Sequence, residues 1–136
     1  MSRFLDRAEE LRGSAARHYN CAQATFIPFA EEKGLDEETA YGITLNFGSG
    51  MKMAGTCGAI TGGLMALGFY GVNDPQTVSD YYQRFKDNHE GFLDCRNLLR
   101  ISKEKGERRG PHCDGLVYES VGIVEDILKE KGLIGE

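Results

Sequence analysis

Gly48-Ser49-Gly50-Met51-Lys52-Met53-Ala54-Gly55-Thr56-Cys57-Gly58-Ala59-Ile60-Thr61-Gly62-Gly63-Leu64-Met65-Ala66-Leu67-Gly68 reads as a glycine-rich loop running into a helix of small residues. Each glycine in a helix interior costs roughly 1 kcal/mol relative to alanine, so intrinsic propensity does not hold such a segment together. Packing has to. Gly58, Ala59, Gly62, Gly63 and Ala66 let a neighbouring helix approach the backbone closely, which places this helix at the centre of the domain. Apolar residues keep a helical period through most of the chain, and no hairpin signal or alternating strand of useful length appears. The expected fold is therefore all-α: one compact domain over residues 1–136, a bundle of about five to seven helices around the small-residue helix.

Working outward, a first helix is expected from about Ser2 to His18, with Phe4, Ala8, Leu11 and Ala15 as its apolar stripe. A second begins near Cys21 with Asn20 as N-cap and ends at Gly34, kinked at Pro28. A third opens at Leu35-Asp36-Glu37-Glu38, where acidic residues suit the helix dipole, and stops at Gly48. Beyond the central helix, Asp74-Pro75 starts another, with Val78, Tyr82, Phe85 and His89 on its inner face; Tyr81 and Tyr82 read as core or rim aromatics. After a break at Gly91, Phe92, Cys95, Leu98 and Leu99 form a short apolar face. The stretch from Lys103 to Pro111 reads as a loop, and a last helix from about Cys113 to Lys131 carries Val117, Val121, Val124 and Leu128.

A net charge of −5 argues against a nucleic-acid partner, because phosphate neutralisation needs a concentrated positive surface. The basic stretch from Lys103 to Arg109 is short and interrupted by Glu104 and Glu107. No apolar run approaches the ~18 residues of a membrane span, and the charged start lacks an apolar signal core. No membrane insertion is expected, and a cytoplasmic location follows, where thiols are kept reduced.

Four cysteines, Cys21, Cys57, Cys95 and Cys113, carry the chemistry. Cys21, Cys57 and Cys113 fall at or near expected helix N-termini, where the positive dipole end stabilises a thiolate; Cys95 falls inside a short helix, facing inward. There is no Cys-x-x-Cys, no haem-attachment motif and no zinc-finger pairing, so any shared site must be assembled by folding. Two thiols could then form a reversible disulfide, with a low-pKa partner attacking and another resolving. Alternatively all four could ligate zinc or an iron–sulfur cluster, or they could be inert core residues of a helical interaction protein. The leading assignment makes Cys57 the exposed low-pKa thiol, resolved by Cys21 or Cys113. Basic neighbours such as Arg17, Lys52, Arg96 and Arg109 are no more than 16 Lys and Arg would place by chance. His112 beside Cys113 and His18 before Cys21 are candidate assistants, and more ordinarily surface residues. The loop from Gly48 to Gly55 could cradle an anion but lacks Gly-Lys-Ser/Thr, so a tight connection is the simpler reading.

The ordered anchors Asn20-Cys21-Ala22-Gln23, Cys57-Gly58-Ala59-x-x-Gly62, Asp94-Cys95-Arg96-Asn97-Leu98-Leu99 and His112-Cys113 resemble the redox-active C_GCAxxG_C_C family. The resemblance implies a small, mostly helical, cytoplasmic bacterial or archaeal protein whose four cysteines are its functional residues. Related domains fused to haem-carrying proteins keep electron transfer in view. Pro28 departs from the family's uninterrupted helix after the first cysteine. A redox partner is implied without being specified, and the oligomeric state is left open.

Overall fold

Three glycines of the helix Gly58–Phe69 (α4) decide how the rest of the chain packs. The structure is a computed structural model and describes residues 2–135. In chain order the helices are α1 (Arg3–Arg12), α2 (Cys21–Glu32), α3 (Glu37–Ile43), α4, α5 (Pro75–Asp87), α6 (Cys95–Glu104) and α7 (Arg109–Glu130). Among the described residues there is no strand, only an isolated antiparallel bridge between Thr56 and Asp94. The fold is all-α, as expected.

α4 lies against α2, its most extensive neighbour, and against α7. A Cβ on Gly62 would come within 2.6 Å of the Ala22 carbonyl oxygen, so the two backbones approach closely only because glycine is there. On the next face, a Cβ on Gly63 would collide with Tyr81 Oη and lie 2.6 Å from Ser120 Oγ. Those hydroxyls instead donate to α4 carbonyls, Tyr81 to Ile60 at 2.8 Å and Ser120 to Ala59 at 2.7 Å. Missing side-chain volume is thus replaced by neighbouring backbone and by two buried hydroxyls. α2 shares the centre of the bundle: every residue from 22 to 30 is buried, including Pro28, and the helix continues through that proline as one element.

Several boundaries differ from expectation. α1 keeps Phe4, Ala8 and Leu11 buried but stops at Arg12, and Ala15 is exposed. Arg12 turns its guanidinium to the Tyr19 carbonyl at 3.0 Å, so the chain between them folds back rather than continuing helical. α3 ends at Ile43, well before Gly48, because Asn20 Nδ2 donates to the Thr44 and Leu45 carbonyls, each at 3.3 Å. On α5 the fully buried tyrosine is Tyr81, not Tyr82, since the Tyr81 hydroxyl is the one that reaches α4. Asn20, Asp36 and Asp74 do cap α2, α3 and α5 through their side chains.

Two alanine substitutions within α4 separate packing from propensity. Gly62→Ala should destabilise the protein by roughly 1–3 kcal/mol through overpacking. Gly68→Ala meets nothing within 4 Å and should stabilise it by about 0.5–1 kcal/mol. Urea unfolding measures both; equal effects would mean that close approach to α2 is not what glycine supplies.

Candidate functional site

Four separate helices bring their cysteines to one cavity of about 340 Å³, lined also by Arg12, His18, Leu98, Arg109, His112 and Leu116. Cys21 is the first residue of α2, behind a capping box in which Asn20 and Gln23 satisfy each other's backbone N–H. Gly58 lets α4 meet it: a Cβ there would stand 3.3 Å from Cys21 Cβ and 2.9 Å from the Phe47 carbonyl oxygen. The motif's two glycines therefore do one job, seating the start of α4 on the start of α2.

Cys57 and Cys95 arrive as a linked pair. The Thr56–Asp94 bridge is flanked by hydrogen bonds from Cys57 N–H to the Leu93 carbonyl at 2.9 Å and from Cys95 N–H to the Gly55 carbonyl at 2.6 Å. Arg96 Nε adds a third, to the Ala54 carbonyl at 2.9 Å. Leading into this clamp, Ser49, Gly50, Met51, Lys52 and Ala54 all have positive φ, between 51° and 61°. Four of the five are not glycine, and each such residue costs on the order of 1–3 kcal/mol unless its surroundings impose it. Here they do: Gly55 N–H closes on the Gly50 carbonyl at 2.9 Å, Lys52 Nζ holds Asn46 at 2.9 Å, and Arg109 reaches Ser49 Oγ at 3.2 Å. Only glycine fits at position 50, where a Cβ would lie 2.9 Å from Cys95 Cβ. The sequence's glycine-rich loop is thus a left-handed turn that packs on a cysteine.

All four cysteines are free thiols, and their environments differ sharply. Cys57 stands at the N-cap of α4 as expected, but it is 3% exposed, not open to solvent. Burial pushes its thiol up to about 12, against the pull of the Ala59 and Ile60 backbone N–H groups. It is not the low-pKa thiol. That property belongs to Cys113, held down to about 6 by its neighbour Cys21, then by Arg109 and the charge of Arg12, which together outweigh burial. Cys21 moves the other way: its neighbour Cys113 and burial both push it up, so its proton is retained. Burial also raises Cys95, which begins α6 rather than sitting within a helix.

Cys113 itself lies a full turn inside α7, which starts at Arg109 with Pro111 in the first turn, where no intrahelical N–H bond is lost. Arg109 and Cys113 are therefore four apart on one helix face. That spacing was the available signal for Arg109, and it is hidden when the stretch through Pro111 is taken as loop. Arg12, far away in the chain and anchored by Asp114 at 2.6 Å, carries no such signal. Of the histidines, His18 lines the cavity, His112 lines it with its Nε2 buried and unpartnered, and His89 is bonded to Glu119 at 2.7 Å outside it. Among the described residues no three His, Cys, Asp or Glu side chains stand close enough together to hold a metal ion.

Fold and site together define a helical bundle built to gather thiols. The family described as Putative redox-active protein (C_GCAxxG_C_C) matches residues 19–127. The chain belongs to this family. Comparison with curated proteins and with solved structures gives no match. No helix of the described residues is long and apolar enough to cross a membrane.

Alkylation of the reduced protein should be ordered by these environments. Cys113 should react first, with a rate that rises to half its maximum near pH 6, the value at which its proton leaves. Cys57 should be slowest, and Arg109→Gln should move the Cys113 midpoint upward. Iodoacetamide labelling followed by peptide mass mapping reads all three, and a Cys113 midpoint between pH 8 and 9, the ordinary thiol range of about 8.5, would remove the assignment.

Proposed function

We propose that this protein is a thiol–disulfide redox carrier in which Cys113 is the attacking thiolate and Cys21 the resolving thiol. The observation that carries the reading is that Cys21 and Cys113, from separate helices, line one cavity whose wall also holds Arg109 and Arg12. A thiolate is the nucleophile in exchange, and Cys113 is the cysteine whose surroundings favour that form.

The reaction balances with a disulfide as co-substrate. The Cys113 thiolate attacks one sulfur of the substrate disulfide; that S–S bond breaks, a mixed disulfide forms, and the first substrate thiolate departs with the electron pair. Cys21 then gives up its proton and attacks Cys113 Sγ, forming the Cys21–Cys113 disulfide and releasing the second substrate thiol. The substrate is reduced by two electrons and the protein oxidised by two. Cys57 and Cys95, delivered to the same cavity by the paired segments, form the supporting dithiol in this account. A second exchange would move the disulfide onto them and restore Cys21 and Cys113 as thiols.

Because reduced Cys113 stays a thiolate above pH ~6 while Cys21 keeps its proton, reduction takes up one proton per two electrons there and two below. The midpoint potential should therefore fall by about 30 mV per pH unit above that point and about 60 mV below it. Titration against glutathione buffers, with thiols counted by mass tagging, gives the slope. Cys21→Ser or Cys113→Ser should abolish the couple. A persisting two-electron couple in either variant, or a steep slope throughout, would remove this pairing.

A further inference from the structure

α7 begins in a way that local physics disfavours. Its N-cap is Arg108, whose side chain makes no capping hydrogen bond; its first residue is Arg109, and no carboxylate lies in its first turn. A helix start carries free N–H groups and a partial positive charge, so cations there repel and an anion belongs. Ser2, Asn20, Asp36 and Asp74 cap α1, α2, α3 and α5 through side-chain oxygens, whereas α4, α6 and α7 have no side-chain cap, and of these three only α7 begins on two arginines. The disfavoured start is also the part of α7 that faces the cysteines, since Arg109, Gly110, His112 and Cys113 all line the cavity.

An independent observation points the same way. The His112 side chain is 10% exposed, and its Nε2 is buried with no hydrogen-bond partner. Its Nδ1 is 3.6 Å from Glu107 Oε1, an ion-pair separation too long for a direct hydrogen bond. A proton on Nδ1 faces the Glu107 carboxylate, and Nε2 becomes a donor when the ring is protonated on both nitrogens, the form that an anion beside it favours. A buried polar atom left unpaired in this way costs its full desolvation, and the usual explanation is a ligand or water that pairs it.

The charges around the α7 start suit an anion. Asp114 answers Arg12 at 2.6 Å, whereas Arg109 donates to the neutral Ser49 hydroxyl at 3.2 Å and, among the described residues, pairs with no carboxylate. The first turn of α7 adds its roughly half-unit positive charge with no acidic residue in it. The cavity, of about 340 Å³, lies at the small end of the roughly 300–1,000 Å³ range of small-molecule sites.

We propose that this cavity takes a small oxyanion, bound by Arg109, the free N–H groups of the first turn of α7 and the Nε2–H of His112. The substrate that meets Cys113 accordingly carries such a group. Only this last step rests on the thiol-redox reading; the anion seat does not.

Sulfate is the probe, titrated calorimetrically into the fully reduced protein at constant ionic strength with chloride as the balancing salt. One saturable site is expected, and occupancy should slow alkylation of Cys113. Arg109→Gln and His112→Asn should each weaken sulfate by about tenfold, the loss of one charge-assisted donor. Arg100→Gln, in the exposed i,i+4 pair with Glu104, should leave it unchanged. Absence of binding, absence of Cys113 protection, or equal weakening by Arg100→Gln would overturn the proposal, the last by reducing it to general electrostatics. Circular dichroism of the variants separates lost binding from lost fold. Since the titration needs no disulfide, sulfate binding in a protein that never forms Cys21–Cys113 would fault the redox reading alone, and redox cycling without sulfate binding would fault this one alone.

Discussion

The near-contact of two helix backbones with no Cβ between them is the constraint on which this structure depends. Gly62 faces the Ala22 carbonyl, and Gly58 faces Cys21 itself. Because the start of α4 rests on the start of α2, Cys57 and Cys21 are brought together by backbone contact rather than by the reach of side chains. Gly63 then fixes α4 from the opposite side through the Tyr81 and Ser120 hydroxyls. Small residues whose helical propensity is poor are thus what positions the chemistry, with tertiary packing holding a helix that would not form alone.

How readily each thiol ionises depends on competition between two effects of different size. A helix N-terminus is worth typically 0.3–1 kcal/mol, about 2 in a favourable buried geometry, whereas desolvation can move a fully buried group by about 3–5 pKa units at 1.36 kcal/mol each. At Cys57 the dipole and the burial oppose each other, and burial wins. At Cys113 the burial is incomplete, and the neighbouring Cys21 thiol together with Arg109 and Arg12 outweighs it. Position at a helix start was a sound indication of where the cysteines lie and an unsound one of which ionises.

Features written in local chemistry were legible in the sequence. The caps Asn20 and Asp36 and the Asp74-Pro75 start announced α2, α3 and α5, Gly34 adopts the left-handed conformation that suits the end of a helix, and the small-residue run announced a buried central helix. The four anchors that carry the family resemblance named the cysteines, and the fold does gather them. What was hidden depends on contacts across the chain. Arg12 folding back on Tyr19 shortened α1, Asn20 reaching the Thr44 and Leu45 carbonyls shortened α3, and Tyr81 rather than Tyr82 turned inward because of α4. At α7 the glycine and proline at 110 and 111 looked like a helix stop, although proline in a first turn is no obstacle. That misplacement also concealed the relation between Arg109 and Cys113. Pro28 drew attention away from α2, whose even burial on all sides makes it a second central helix.

The left-handed turn from Ser49 to Ala54 has a consequence for the order of assembly. Its conformation is unfavourable for the four non-glycine residues that adopt it, and the groups that impose it come from far along the chain: Cys95 and Arg96 on α6, Arg109 on α7. A segment of that kind gains nothing until its distant partners have docked, so the loop-closure entropy is spent before any reward arrives. The hydrophobic pairing of α1, α2 and α4 can precede it; the cysteine cavity cannot. During synthesis, then, Cys21 and Cys57 can meet through α2 and α4 while Cys95 and Cys113 are still to come, and the four-cysteine cavity closes only once α7 has emerged.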